Sequence, residues 1–180
     1  MRRRGINRAG LAALLPIVDG RELEVGAAVE AMPTGRRSPF ARIGSTHFAR
    51  LVLLRAFPGR YGDDLGEPPA CVFFAAEFDI PVAGYLEALS TLMPDEADAV
   101  FGGCVAYPGA AAPPLFARWM KRHRVRAGFS LHGNPEARAA EVVDALQLRE
   151  RIIQFALQKR ALDPAALKDA WDRENWGGPA

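Results

Sequence analysis

His47 and Arg50 stand three residues apart in the run Thr46-His47-Phe48-Ala49-Arg50-Leu51-Val52-Leu53-Leu54. An imidazole can take or give a proton near neutral pH, and a guanidinium can clamp a carboxylate or phosphate. The run around them is apolar and bounded by turn residues, so it reads as a central strand. A histidine and an arginine inside such a strand each need a partner or a solvated cavity. Strand alternation puts His47 on one face with Ala49, Leu51 and Leu53, and Arg50 on the other with Phe48, Val52 and Leu54. The pair can serve one compact site, as acid/base and anion clamp, only if a bulge shifts the phase. The competing reading is a satisfied strand histidine and an arginine paired with Glu77 or Asp79.

Three more side chains could hold a ligand. Tyr85 and Tyr107 offer hydroxyls at the edge of a cleft, though each also reads as a half-buried core aromatic. His123 ends a helix, where a cationic imidazole meets the negative end of the dipole. Three scattered histidines without HExxH or HxH spacing make no metal motif. Lys121-Arg122-His123-Arg124-Val125-Arg126 is the densest basic run. No aromatic platform accompanies it, so it reads as a solvated helix end rather than a nucleic-acid surface. Gly102-Gly103 lacks the Lys and Ser/Thr of a phosphate loop, and no G-x-S-x-G occurs.

The elements that must position these residues follow from periodicity. Leu11–Val18 reads as a strand, and Asp19-Gly20 as a turn. Residues 21–32 read as a helix with Leu23, Ala27 and Met32 apolar and Gly26 a weak spot. Strands at 46–54 and 70–78 are joined by 55–69, a Gly/Pro-rich connection long enough to be a flap. Val82, Tyr85, Leu86, Leu89, Leu92 and Met93 form the cleanest helical stripe. A short acidic helix over 94–101 and a strand at Cys104–Tyr107 come next. A helix over 114–123 carries Leu115, Phe116, Trp119 and Met120, and a strand spans 127–131. Asn134-Pro135-Glu136 signals the cap of a long helix towards Lys159, with a break near 147–150. Asp163-Pro164 opens a last helix through Trp171.

Up to residue 107 the order is β-α-β-β-α-β, the ferredoxin-like pattern. Its two helices cover one sheet face, and two such sheets often pair to bury the other. The segments Thr46-His47-Phe48-Ala49-Arg50, Phe73-Phe74-Ala75-Ala76-Glu77-Phe78-Asp79, Tyr85-Leu86, Gly103-Cys104-Val105-Ala106-Tyr107-Pro108-Gly109 and Arg122-His123 together resemble a group of dimeric α+β barrel proteins. That superfamily includes dye-decolourising peroxidases, chlorite dismutase-like haem proteins, and small haem-free monooxygenases and cyclases. The resemblance covers roughly residues 11–148. It departs at Ile80-Pro81, where a Gly-containing turn is usual, and at His132, where an aromatic is usual. It implies a homodimer that binds a small apolar organic molecule. It leaves haem open as a cofactor without naming a ligand, because no proximal-histidine motif matches.

Composition sets the remaining bounds. With 180 residues, 49% of them hydrophobic, the chain can build a core, which excludes disorder throughout. A net charge of +2, from 23 basic against 21 acidic residues, is too even to indicate nucleic acid. Cys71 and Cys104 both lie in apolar runs and read as free thiols. No segment approaches a membrane span, and the apolar patch Leu11–Leu15 is short for a leader, so a cytoplasmic protein is expected. The expectation is therefore a basic tail at 1–10, an α+β ferredoxin-like domain at 11–160 and a short helix with tail at 161–180. The expected function is an oxidoreductase or a monooxygenase/cyclase-like enzyme with His47 and Arg50 catalytic, and Tyr107, Tyr85 and His123 binding the ligand. The alternative is a non-catalytic ligand-binding or assembly module.

Overall fold

Alternation along three strands builds the sheet of the computed structural model, which describes residues 8–55, 69–126, 136–174 and 176. In β1 (Ala9–Pro16), Leu11, Ala13 and Leu15 are buried while Gly10, Ala12 and Leu14 face away from them. In β3 (Cys71–Phe78), Val72, Phe74, Ala76 and Phe78 are buried in the same way. β2 (Thr46–Leu54) pairs antiparallel with β3, β3 with β1, and β1 with the two-residue β4 (Arg124–Val125). The sheet order is β2-β3-β1-β4, so the protein is α+β with a four-stranded antiparallel sheet.

Four helices serve the buried face. α1 (Glu22–Glu30) follows a turn at Gly20, whose φ of 82° only glycine adopts without strain. α2 (Val82–Leu92) buries Tyr85, Leu86 and Leu89, and Met93 just after it, as its stripe predicts. α3 (Pro94–Phe101) and α4 (Pro113–Arg122) follow. Phe78 and Tyr85 stack with centroids 3.8 Å apart, and Phe74 lies between Phe40 and Phe101.

Several expectations change. α1 packs through Val25, Ala28 and Val29, with Met32 just after it, and Leu23 is 83% exposed. Gly26 is no accident in that helix, since a Cβ there would stand 3.3 Å from Leu53 on β2. Leu92 and Leu115 are exposed rather than part of the packed stripes. Cys104–Tyr107 is not a strand. It makes one bridge, Ile17 to Cys104, and Ala106 turns the chain away with a φ of 55°. The fourth strand instead comes after α4. The strand expected at 127–131, the connection at 56–68, and His132 with the Asn134-Pro135 cap lie outside the described residues.

The chain divides into two compact units, 1–136 and 137–180. The second unit holds α5 (Ala139–Lys159), which runs without the expected break, and α6 (Pro164–Arg173). α5 is opened by Glu141, which accepts from the Arg138 amide at 2.7 Å. Asp163 caps α6 by accepting from the Ala165 and Ala166 amides at 3.0 Å. Phe155, Trp171 and Trp176 pack together at the α6 end. Among the described residues, no helix is long and apolar enough to cross a membrane.

Gly103 permits the closest approach in the first unit. A Cβ there would stand 2.3 Å from Val25 Cγ2 on α1. Gly103→Ala is expected to cost about 1–3 kcal/mol of stability in a urea melt. Val25→Ala on that background should recover part of the loss, because it removes the colliding methyl.

Candidate functional site

The strand β2 does carry a bulge. Thr46 pairs with Phe78 and Phe48 with Glu77, which leaves His47 as the extra residue. The bulge breaks the simple alternation. Thr46 turns inward, its hydroxyl 3.5 Å from that of buried Tyr85, while Phe48 turns outward opposite Glu77. His47 therefore leaves the face of Ala49, Leu51 and Leu53 to which strict alternation assigns it.

His47 meets two residues from the neighbouring strand ends. Its Nε2 is 2.7 Å from Asp79 Oδ1 and 2.9 Å from an Arg8 terminal nitrogen, and Arg8 Nε lies 3.7 Å from the same Asp79 oxygen. Continuing the β1–β3 register brings Arg8 opposite Asp79, on the side of Gly10 and Ala12. Asp79 is held in turn by its amide, which donates to Ser45 O at 3.0 Å. The side chains of Arg8, His47 and Asp79 are 8%, 13% and 9% exposed, so the cluster is nearly dry. Ser45 Oγ beside it is buried with no hydrogen-bond partner among the described residues.

One imidazole nitrogen cannot both donate to a carboxylate and accept from a guanidinium. The shorter contact to the charged carboxylate favours a proton on Nε2. Nδ1 then carries the lone pair, and it makes no hydrogen bond among the described residues. This is the arrangement of an oriented base: the carboxylate fixes the tautomer and the far nitrogen accepts the proton.

The cluster stands at one end of the sheet face that α1 to α4 leave uncovered. Along that face Ala12 opposes Ala75, Leu14 opposes Phe73 and Pro16 opposes Cys71, with Val52 and Leu54 beside them on β2. Leu14, Phe48, Leu54 and Val125 are exposed. Arg50 lies on this face with its guanidinium 5.3 Å from the centre of the Phe48 ring. The bulge thus brings His47 to the side of the sheet that holds Arg50, although Asp79 pairs with His47 and Arg8. Burial pushes the Cys71 thiol up.

The other expected residues lie elsewhere. Tyr85 is fully buried on the helix side, and burial pushes its hydroxyl up to about 12, so it stays a neutral phenol. Tyr107 donates to Asp98 Oδ1 at 2.7 Å, and the Ala110 amide donates to the same oxygen at 2.8 Å. Burial, then this carboxylate, pushes the Tyr107 hydroxyl far above its ordinary range. His123 Nδ1 donates to Trp119 O at 2.9 Å, and Trp119 in turn donates to Val105 O. Tyr107, Trp119 and His123 thus belong to an aromatic cluster that fastens the loop after α3. They do not meet His47. Sequence reasoning missed Arg8, which reads there as part of a tail, and nothing in its neighbours marks it.

The cysteines divide by burial. Cys104 is 3% exposed, and burial pushes its thiol up to about 12. Cys71 is half-buried at the edge of the open face. Maleimide should therefore label Cys71 first in the native protein, with Cys104 reacting only on unfolding.

His47 has its Nε2 engaged by a carboxylate and a guanidinium, and His123 borders neither of the clefts lined by the 33–42 loop. Among the described residues, no three His, Cys, Asp or Glu side chains converge as metal ligands. No family model, curated protein or solved structure matches the chain, so its functional reading rests on the geometry of this cluster and sheet face.

Proposed function

We propose that this chain is a homodimeric small-molecule-binding protein of the ferredoxin-like, dimeric α+β barrel type. The order β2-β3-β1-β4, all antiparallel, supports the ferredoxin-like reading, with α3 and α4 added before the last strand. The ligand is a small apolar organic molecule lying over the open sheet face. The observation that carries this reading is the placement of a dry Arg8–His47–Asp79 cluster at the end of a mostly apolar face that also carries Arg50 and Glu77. An apolar floor with a few convergent polar groups is the ordinary makeup of a small-molecule site.

In the enzymatic form of this reading, of the oxidoreductase or monooxygenase/cyclase kind, His47 Nδ1 takes a proton from an acidic O–H or C–H of the ligand. Asp79 holds the imidazole and stabilises the imidazolium that results. Arg8 pairs with the same carboxylate and helps hold it in place. Arg50 clamps an oxygen of the ligand from the same face. The non-catalytic alternative draws on the completeness of the cluster, in which Arg8, His47 and Asp79 also tie three strand ends together.

A panel of small phenols tests the reading by thermal shift. A binder should stabilise the native protein by about 2.7 kcal/mol at roughly 100 times its Kd. His47→Ala should abolish that shift, and Arg50→Ala should weaken it. A shift that persists unchanged in both variants would remove these residues from the site. Loss of stability with the shift intact would support the tying role alone.

A further inference from the structure

The segment 33–42 carries three arginines, Arg36, Arg37 and Arg42, that the reading above does not use. Two short 3-10 turns, Gly35–Arg37 and Pro39–Arg42, follow α1 and lead to β2. A cleft of about 330 Å³ opens against this segment, and its charged lining is Arg36, Arg37, Arg42 and Glu96. Glu96 is already paired with Arg42. Arg36 and Arg37 are exposed and have no carboxylate partner among the described residues. The Ser38 hydroxyl borders the same cleft.

A second cleft of about 290 Å³ lies on the other side of the same segment. The two share Pro33 and Ser38 in their walls. The second is lined chiefly by apolar side chains, among them Val29 of α1, Met32 just after it, Phe40 and Leu51. Arg50 stands at its margin. Phe40 is itself fixed by stacking on Phe74, with centroids 5.9 Å apart, so this wall is anchored in the core.

We propose that these adjoining clefts form one two-part site for an organic phosphate, with the phosphate held by Arg36, Arg37 and Ser38 and the apolar body seated against Met32, Phe40 and Leu51. Guanidinium groups present planar forks that match phosphate oxygens, and a hydroxyl adds a further donor. Three cations against one carboxylate leave the first cleft net positive. A carboxylate ligand would satisfy only one fork, whereas a phosphate monoester presents enough oxygens for both free arginines. A bare phosphate would leave the apolar cleft unused. The same chemistry comes from a soluble aryl phosphate or from the headgroup of a phosphatidate lipid, whose chains would take the apolar side.

Titration calorimetry with phenyl phosphate, inorganic phosphate and phenol tests the two parts. Phenyl phosphate should bind about tenfold or more tightly than either fragment. Arg36→Glu with Arg37→Glu should weaken it by about tenfold or more, since each charge-assisted contact is worth that order. Both positions are exposed, so circular dichroism should show the fold unchanged. Met32→Ser should narrow the preference for phenyl phosphate over inorganic phosphate. Flotation with phosphatidate-containing against phosphatidylcholine vesicles separates the sources: binding to phosphatidate that is lost in the double variant assigns a lipid. No binding of phenyl phosphate or of phosphatidate vesicles, or binding unchanged in the double variant, would overturn the site. Equal affinity for phenyl phosphate and inorganic phosphate would overturn its two-part form.

Discussion

Asp79→Ala is expected to lower the unfolding free energy by about 3–5 kcal/mol, the cost of removing one member of a nearly buried ion pair. Arg8 is 8% exposed and lies 3.7 Å from Asp79, so water cannot readily replace the lost carboxylate. His47 loses its 2.7 Å partner at the same time. Urea melts of the single variants Arg8→Met and Asp79→Leu, and of the double variant, would measure the coupling. The double variant should be more stable than the sum of the single losses predicts, because it leaves neither charge stranded. Asp79→Asn should fall between wild type and Asp79→Ala, since the amide oxygen can still accept from Nε2. A loss below about 1 kcal/mol for Asp79→Ala would mean that the cluster is hydrated and weak. In that case the dry-site argument for His47 as a base would fail with it.

Much of the frame was legible because burial imposes period on sequence. The strands at 46–54 and 70–78, the stripe of α2, the acidic α3 and the Asp163-Pro164 start of α6 all carry strong local signals, and each is present. The failures share a cause in tertiary context. Cys104–Tyr107 has strand-like composition, but its backbone bonds go to the end of β1 through Val105, and Ala106 takes a left-handed turn. Leu23 looks like a core residue of α1, yet Val25 faces the sheet because Gly26 lets the helix approach Leu53. The break expected in α5 near Gln147–Glu150 is absent, because an exposed helix accepts polar residues readily.

The candidate site was legible in part. His47 and Arg50 stood out as polar residues in an apolar strand. Their relation depended on a bulge, and no residue of β2 announces one. Arg8 was invisible because its role comes from register: only the pairing of β1 with β3 brings it opposite Asp79.

Phe73→Glu is expected to convert a homodimer of about twice 19.5 kDa into a monomer at micromolar concentration. Phe73 stands at the centre of the sheet face that α1 to α4 leave uncovered, between Leu14 on β1 and Val52 on β2. Monomers rarely expose contiguous apolar patches beyond a few hundred Å², and this face joins exposed Leu14, Phe48 and Leu54 to Phe73 and Val52. In the proposed dimer a second copy of the same face would bury it with twofold symmetry, so each substitution would enter the interface twice. An unpaired carboxylate in that interface costs several kcal/mol, enough to raise the dimer dissociation constant about a hundredfold or more. The side chain is only half-buried within one chain, so far-UV circular dichroism of the variant should remain that of the wild type. Light scattering across a concentration series reads both results. Leu23→Glu, on exposed α1 surface, is the control and should leave the dimer intact. A wild-type monomer at micromolar concentration would overturn the sheet-face dimer, and the apolar face would then have to be covered from within the chain. A dimer that survives Phe73→Glu would place the contact between copies on another surface, away from the sheet face proposed for the ligand.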